Sequence, residues 1–442
     1  MSSYEKVMIG SFLKRIHRPI KLDKDKEYKL VTIKMHHKGI TLRCLKKGSE
    51  IKSRMHTVRK GDFILSGIDA RNGAFGIIPP ELDGAIVTND FWLFDIDEKV
   101  MGKNLFLELT QTTWFDEICR KGSGGITQRI RLQKDKFFNQ QIQLPPKANQ
   151  KKLLKKISRV KADNQNLFAE ITHQQTLLKK LHQSILQDAI SGKLTEQWRK
   201  ENSHVEPASE LLKRIKEEKE RLIKEKKIKK QKPFPPIRED EIPFELPRGW
   251  VWCRLGNYFQ FIDYRGKTPQ KSQSGVRLIT AKNIRIGYIN ENPVEFISKD
   301  LYKSWMTRGF PERGDLLFVT EGATMGFVAS IEMNFTFALA QRTINLKPYV
   351  RKNIDCLKFF IMSPLFQAII SKNATGSAAT GVKASILKNL LIPIPPENER
   401  KQIADSIKTL FNICGQMEII NTKSQQSSEM LMQAVLKEAF EG

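Results

Sequence analysis

Two stretches of this 442-residue chain carry the same apolar pattern, and the pattern is the rarest thing in the sequence. From Leu153, apolar or small polar residues recur at alternating steps of four and three: Leu153, Ile157, Val160, Asn164, Leu167, Ile171, Gln174, Leu178, Leu181 and Ile185. Such a spacing is a heptad seam, which places all of these side chains on one face of a long helix. Adding 250 to each number gives Ile403, Ile407, Leu410, Cys414, Met417, Asn421, Ser424, Ser428, Leu431 and Val435, a second seam near the end of the chain. The borders match as well, since Leu144-Pro145-Pro146 precedes the first seam as Ile394-Pro395-Pro396 precedes the second. The chain is a tandem duplication.

An exposed apolar stripe needs a partner, and each long helix is the obvious partner of the other. The expected arrangement is an antiparallel coiled coil with Leu153 opposite Val435, which sets Asn164 opposite Ser424 and Ile171 opposite Met417. The alternative is that each helix packs on its own domain. The expected organisation is a domain over 1–146, a helix over 147–192, a charged helix and Pro-rich linker over 193–245, a second domain over 246–396 and a final helix over 397–442. The fold class is α+β, with two similar α/β domains separated by the two helices in a pseudo-two-fold repeat. Serving as a spacer, the helices would hold two recognition surfaces apart along a duplex.

Charge identifies the partner class. The formal net charge is +27, and it is unevenly placed: 26 basic residues against 17 acidic over 1–146, 20 against 9 over 246–396, but 5 against 7 over 397–442. Two basic inter-helix regions attract a polyanion, which makes double-stranded DNA the leading ligand. The five cysteines, Cys44, Cys119, Cys253, Cys356 and Cys414, form no Cys-x-x-Cys pair, an argument against a zinc site or a disulfide framework. No signal peptide or apolar membrane-spanning run is evident, so a cytoplasmic protein without membrane contact is expected.

Along the first domain, Tyr28 to Lys34 reads as a strand, Gly61-Asp62 as a turn feeding another, and Ile86 to Ile96 as one long strand or a buried pair. The second domain repeats this plan: Leu30 to Gly39 aligns with Leu278 to Gly287, and Lys60-Gly61-Asp62 with Arg313-Gly314-Asp315. Shared strands with divergent loops imply one fold with two surfaces. Gly122 to Gly125 is a flexible loop beside Lys121, Arg129 and Arg131, without the Lys-Ser/Thr of a nucleotide loop. The pair His36-His37 reads as a strand edge rather than a ligand site. Ser209 is expected to cap a charged helix running from Glu210 to Lys232, which five prolines between Pro233 and Pro247 then bring to an end.

Base reading needs Arg or Lys for guanine and Asn or Gln for adenine, displayed on loops. The candidates are Lys34, Arg54, Arg71, Asn72, Lys121 and Arg129 in the first domain, and Arg265, Lys267, Lys282, Asn283, Arg285, Gln341 and Arg342 in the second. No catalytic motif accompanies them. A coiled-coil scaffold that binds proteins is the alternative in another class, and an RNA-binding module lacks the stacking aromatics it would need.

Several segments together resemble the specificity subunit of type I restriction-modification enzymes. They are Leu194-Thr195-Glu196-Gln197-Trp198-Arg199, Leu246-Pro247-Arg248-Gly249-Trp250, Tyr264-Arg265-Gly266-Lys267-Thr268-Pro269, Leu278 to Ile284, and Pro393 to Pro396 with Glu399-Arg400-Lys401-Gln402-Ile403. The resemblance implies two target recognition domains, each reading half of a bipartite asymmetric DNA site, and helices that dock two methyltransferase subunits, to which motor-nuclease restriction subunits add. It implies no cofactor and no catalysis in this chain, the partners using S-adenosylmethionine, ATP and Mg2+. The first copy lacks a counterpart of Tyr264 to Pro269 and offers His17-Arg18-Pro19 nearby.

Overall fold

A computed structural model describes residues 4–125, 130–264, 268–376 and 380–441, with the side chains of 113, 114 and 436–441 outside the description. The chain is α+β and forms two compact units, Met1–His173 with Asn421–Gly442, and Gln174–Ile420. Each unit contains a segment of both long helices, Lys147–Ile190 and Glu397–Glu441.

The duplication is visible in strand order. In the first unit, a four-stranded sheet runs Leu13–Ile16, Phe91–Ile96, Phe63–Ser66, Phe75–Ile77; in the second, Phe259–Asp263, Thr343–Pro348, Leu316–Val319, Val328–Ser330 takes the same order. Each unit also pairs one strand antiparallel on one side and parallel on the other. Glu27–Ile33 lies between Ile40–Lys47 and Ile86–Thr88, as Val276–Ile279 lies between Phe296–Ile297 and Phe337–Leu339. The first unit extends this sheet to five strands with Met55–Thr57 and Pro19–Ile20. The apolar run from Ile86 to Ile96 is two strands in different sheets, split at Asn89-Asp90 where two polar turn formers meet.

The aligned turns share their chemistry too. Asp62 accepts a hydrogen bond from Arg59 N at 2.8 Å and Asp315 one from Glu312 N at 3.0 Å, with left-handed Gly61 and Gly314 inside the turns. Arg18 forms an ion pair with Asp62, so the arginine of His17-Arg18-Pro19 braces this turn.

The helix from 208 is shorter than its charge pattern suggests. It spans Ala208–Lys224 with Pro207 as its cap, and beyond its C-cap Glu225 the chain turns at Lys226, which takes a left-handed φ of 55°. Ala208, Leu211 and Ile215 are buried, so the charged residues are one face of an amphipathic helix. The Pro-rich stretch is fastened: buried Arg254 donates to Pro235 O, Pro236 O and Asn389 O and pairs with Glu241 at 2.9 Å.

Along the middle of the long helices the buried positions lie a heptad or two apart, while Gln150, the stretch from Leu186 to Ile190 and the stretch from Glu399 to Ala404 add more at the ends. Ile157, Ile171, Leu178 and Ile185 are buried in one, and Ile407, Cys414, Asn421 and Ser428 in the other. Within the first unit, Asn164 meets Ser428: the Ser428 hydroxyl donates to Asn164 Oδ1, and Asn164 Nδ2 to Ser428 O at 3.5 Å. The partner is therefore Ser428, one helical turn beyond the expected Ser424. A periodic seam fits almost as well when slid by a turn, and the buried polar pair decides. Leu167, Leu181, Met417 and Leu431, expected in the seam, are exposed. Part of each helix packs on its own unit: Ile157 joins the core of the first, and Ile185, Ile403 and Ile407 that of the second.

Three segments that carried the family resemblance meet at one carboxylate. Glu399 is fully buried, accepts from Trp250 Nε1 at 2.8 Å and Thr195 Oγ1 at 2.6 Å, and pairs with Arg199. Arg199 also donates to Gly192 O at 2.6 Å and lies over the Trp250 ring. Removing the carboxylate leaves the buried Trp250 indole and Thr195 hydroxyl without their acceptor and takes the counter-charge from Arg199. Glu399→Ala is expected to destabilise the second unit by about 3–5 kcal/mol, read as an early denaturant transition. A loss under about 1 kcal/mol would mean that water replaces the carboxylate.

Candidate nucleic-acid interface

In the first unit the sheet register gathers candidates at one end. Ile33 closes its strand three residues past Leu30, which pairs with Ile86; Met55 opens its strand opposite Thr88. Lys34 and Arg54, both exposed, therefore leave the sheet at the same end. The hairpin after Lys34 is bent by two consecutive left-handed residues, His36 (φ 59°) and His37 (φ 56°), followed by Gly39 at 79°. His36 N donates to Asn72 O at 2.8 Å and His37 N to Gly73 O at 3.0 Å, which brings the Arg71-Asn72 turn beside the hairpin.

The His37 ring locks this arrangement. Its Nε2 lies 3.0 Å from Asp116 Oδ2, and the ring packs edge-on against Phe75. Burial pushes the Asp116 carboxyl up from its ordinary range, while His37 pulls it back. The histidine pair is thus a positioning element, which no local pattern announces because Asp116 is 79 residues away. Lys121 is exposed at the end of the helix Thr113–Lys121. Ser123-Gly124 forms a small ladder with Arg131-Leu132, and Arg131 pairs with Asp90 at 2.9 Å. Arg129 lies outside the described residues.

In the second unit, parallel pairing of Ile279 with Leu339 sets two strand ends side by side. Lys282 follows one, and Gln341 and Arg342 the other. A cavity of about 140 Å³ between them is lined by Thr268, Lys271, Thr280, Lys282, Gln341 and Arg342, among others. Gln341 Nε2 donates to Thr268 Oγ1 at 2.6 Å, tying the loop after Tyr264 to this end. Arg265 and Lys267 lie outside the described residues.

Two candidates have structural work instead. Asn283 is fully buried; its Oδ1 accepts from Thr280 N and Oγ1, and its Nδ2 donates to Asn290 O and Pro293 O. Both lone pairs of Oδ1 and both amide hydrogens are spent on the turn, so the side chain has nothing to offer an adenine. Arg285 folds back, donating to Lys282 O at 2.6 Å and Ile284 O at 3.1 Å. A residue missing from the candidates is Glu321, which pairs with Arg342 Nε at 3.2 Å from the end of the strand Leu316–Val319. A search for cations and amides passes over a carboxylate.

Residues 247–426 match the family model described as the type I restriction modification DNA specificity domain. Over that stretch the chain is similar to the type I restriction-modification specificity subunits. It is 32% identical over 267 residues to the specificity subunit of type I restriction enzyme EcoAI from Escherichia coli, covering 59% of this chain and 44% of that one. The specificity subunit of EcoEI, also from Escherichia coli, is 31% identical over 277 residues, 59% of this chain and 45% of that one. The chain thus spans less than half the length of these curated relatives. Among solved structures, the HsdS subunit from Thermoanaerobacter tengcongensis shares the fold with a TM-score of 0.59 at 16% identity, over 100% of this chain and 97% of that one. A chain from a study of complex assembly and conformational transition of the type I R-M system gives 0.60 at 16% identity, over 99% and 98%. Among the described residues, no cluster of His, Cys, Asp or Glu could hold a metal ion, and no helix is long and apolar enough to cross a membrane.

The geometry separates turn builders from surface cations. Asn283→Ala leaves the Thr280 amide and two carbonyls without partners and is expected to cost about 2–4 kcal/mol. Lys282→Ala, an exposed change, is expected to stay within about 0.5 kcal/mol of the parent. Thermal unfolding of the two variants side by side checks both, and equal midpoints would contradict the assignment.

Proposed function

We propose that the chain is the DNA sequence-reading subunit of a type I restriction-modification complex, each unit reading one half of a bipartite asymmetric site. The observation that carries this reading is the repeat itself: two units of the same strand order gather cationic and amide residues at corresponding sheet ends, with different residues on each. In the first, Lys34, Arg54, Arg71 and Asn72 converge; in the second, Lys282, Gln341 and Arg342. One scaffold with two unlike surfaces suits two unlike half-sites better than a palindrome.

The long helices complete the proposal. Pairing of Asn164 with Ser428, and of His182 with Phe411 at 4.7 Å between ring centroids, supports an antiparallel coiled coil acting as spacer. Leu167, Leu181, Met417 and Leu431, with Leu177, Ile413, Ile419, Ile420 and Met430, remain exposed on these helices. Apolar area of this kind on a helix face suits a docking surface, here for two methyltransferase subunits to which motor-nuclease subunits add. Methyl transfer, ATP use and Mg2+ binding then belong to those partners, and the complex works in the cytoplasm.

Two measurements on the purified chain test this. Binding to duplex DNA should weaken steeply as salt rises, log affinity falling linearly with log salt with a slope of several units, as expected when several phosphates are neutralised. With S-adenosylmethionine and ATP present, methyl transfer should appear only after methyltransferase subunits are added. Methylation by the chain alone, or salt-independent binding, would overturn the proposal.

A further inference from the structure

The geometry points to Arg342 as the residue through which the second unit reads a guanine, with Glu321 as the group that aims it; this inference rests on the DNA-specificity reading above. The first observation is the backbone. Arg342 has a φ of 75°, a left-handed conformation that a long side chain rarely adopts and that glycine takes without strain. Thr320 holds it there, its N and Oγ1 donating to Arg342 O at 2.9 and 3.1 Å. The strained bend sends the chain from one sheet into the other, from Phe337–Leu339 to Thr343–Pro348. Glycine would satisfy the bend; an arginine there supplies a side chain as well.

The second observation is how the guanidinium is bonded. Glu321 Oε1 takes the Nε side at 3.2 Å, and among the described residues no hydrogen-bond partner is found for the two Nη groups. Those groups form the fork that matches the N7 and O6 acceptors of guanine in the major groove. Glu321 is itself fixed by a close approach. It bridges to Gly381, where an added Cβ would fall 2.9 Å from the Glu321 Cβ, and Gly322 N donates to Thr380 O at 3.0 Å.

Charge then separates a base from a phosphate. A carboxylate beside the guanidinium cancels much of its net charge and repels a phosphate, yet leaves two directional donors in place. Lys282, exposed across the same cavity with no carboxylate partner among the described residues, has the character of a phosphate contact instead. Arg342 is the base reader of this end, and Glu321 is its positioning residue.

The test uses the assembled complex of full-length chain and methyltransferase subunits, selecting from a library of random duplexes. Wild type defines the preferred motif. Arg342→Lys and Arg342→Gly are expected to lose about ten- to hundred-fold of the preference for guanine at one position of one half-site. The other half-site and the salt slope should stay unchanged. Arg342→Gly also relieves the left-handed strain, so it should unfold no earlier than wild type, which excludes misfolding as the cause. Glu321→Gln should blur preference at the same position and no other. Affinity that falls equally on all sequences, with a salt slope smaller by about one, would make Arg342 a phosphate contact and overturn the inference. An unchanged motif in Arg342→Gly would overturn it as well. A wild-type complex with no motif at all would overturn the DNA-specificity reading, and this inference with it.

Discussion

The Glu399 carboxylate, fully buried, is the constraint on which the second unit depends. A charge in a dry interior is tolerated only when donors surround it, and here the donors come from the turn after the first long helix and from the tryptophan that opens the second domain. The end of one long helix, the start of the other and the first strand of the domain must therefore fold together or not at all. Arg400, next along, is equally buried, donating to Tyr258 Oη at 2.6 Å and Lys352 O at 3.1 Å. These contacts give the unit a fixed base, so the turns carrying Lys282, Gln341 and Arg342 can vary without disturbing it.

The first unit solves the same problem with neutral groups. Gln150, the counterpart of Arg400 at the 250-residue offset, is buried and accepts from Gly102 N at 2.9 Å while donating to Val100 O and Pro145 O. Amides satisfy the same backbone without the desolvation penalty of a charge. The helix layers diverge in a parallel way. Asn164 with Ser428 is polar, whereas Cys414 and Leu178, at their offset counterparts, share the apolar core of the second unit. A polar layer in one repeat and an apolar one in the other means that the two helix segments are not interchangeable, which is how a buried polar pair fixes register.

Periodicity and turn chemistry made much of this legible in the sequence. The seams marked both long helices, the strand at Tyr28 to Lys34 proved to be Glu27–Ile33, and the aligned Gly-Asp turns share one hydrogen-bond pattern. What escaped the sequence depends on distant partners. The helix register missed by one turn because apolar residues recur on one face at every turn, and only the contact between Asn164 and Ser428, 264 residues apart, selects among them. Asn283 looked like an adenine reader because its amide suits that task; burial gave the amide to its own turn. His37 and Glu321 were invisible for a related reason: each acts through a residue brought close only by the sheets.

The central claim is that two related units read two unlike half-sites separated by bases that neither touches. Selection of preferred targets by the wild-type assembled complex from a library of random duplexes tests it most directly. The account predicts two short, different blocks of fixed sequence at a constant separation, with unconstrained base pairs between them. A single continuous block, a palindrome, or two blocks whose separation varies freely would contradict it.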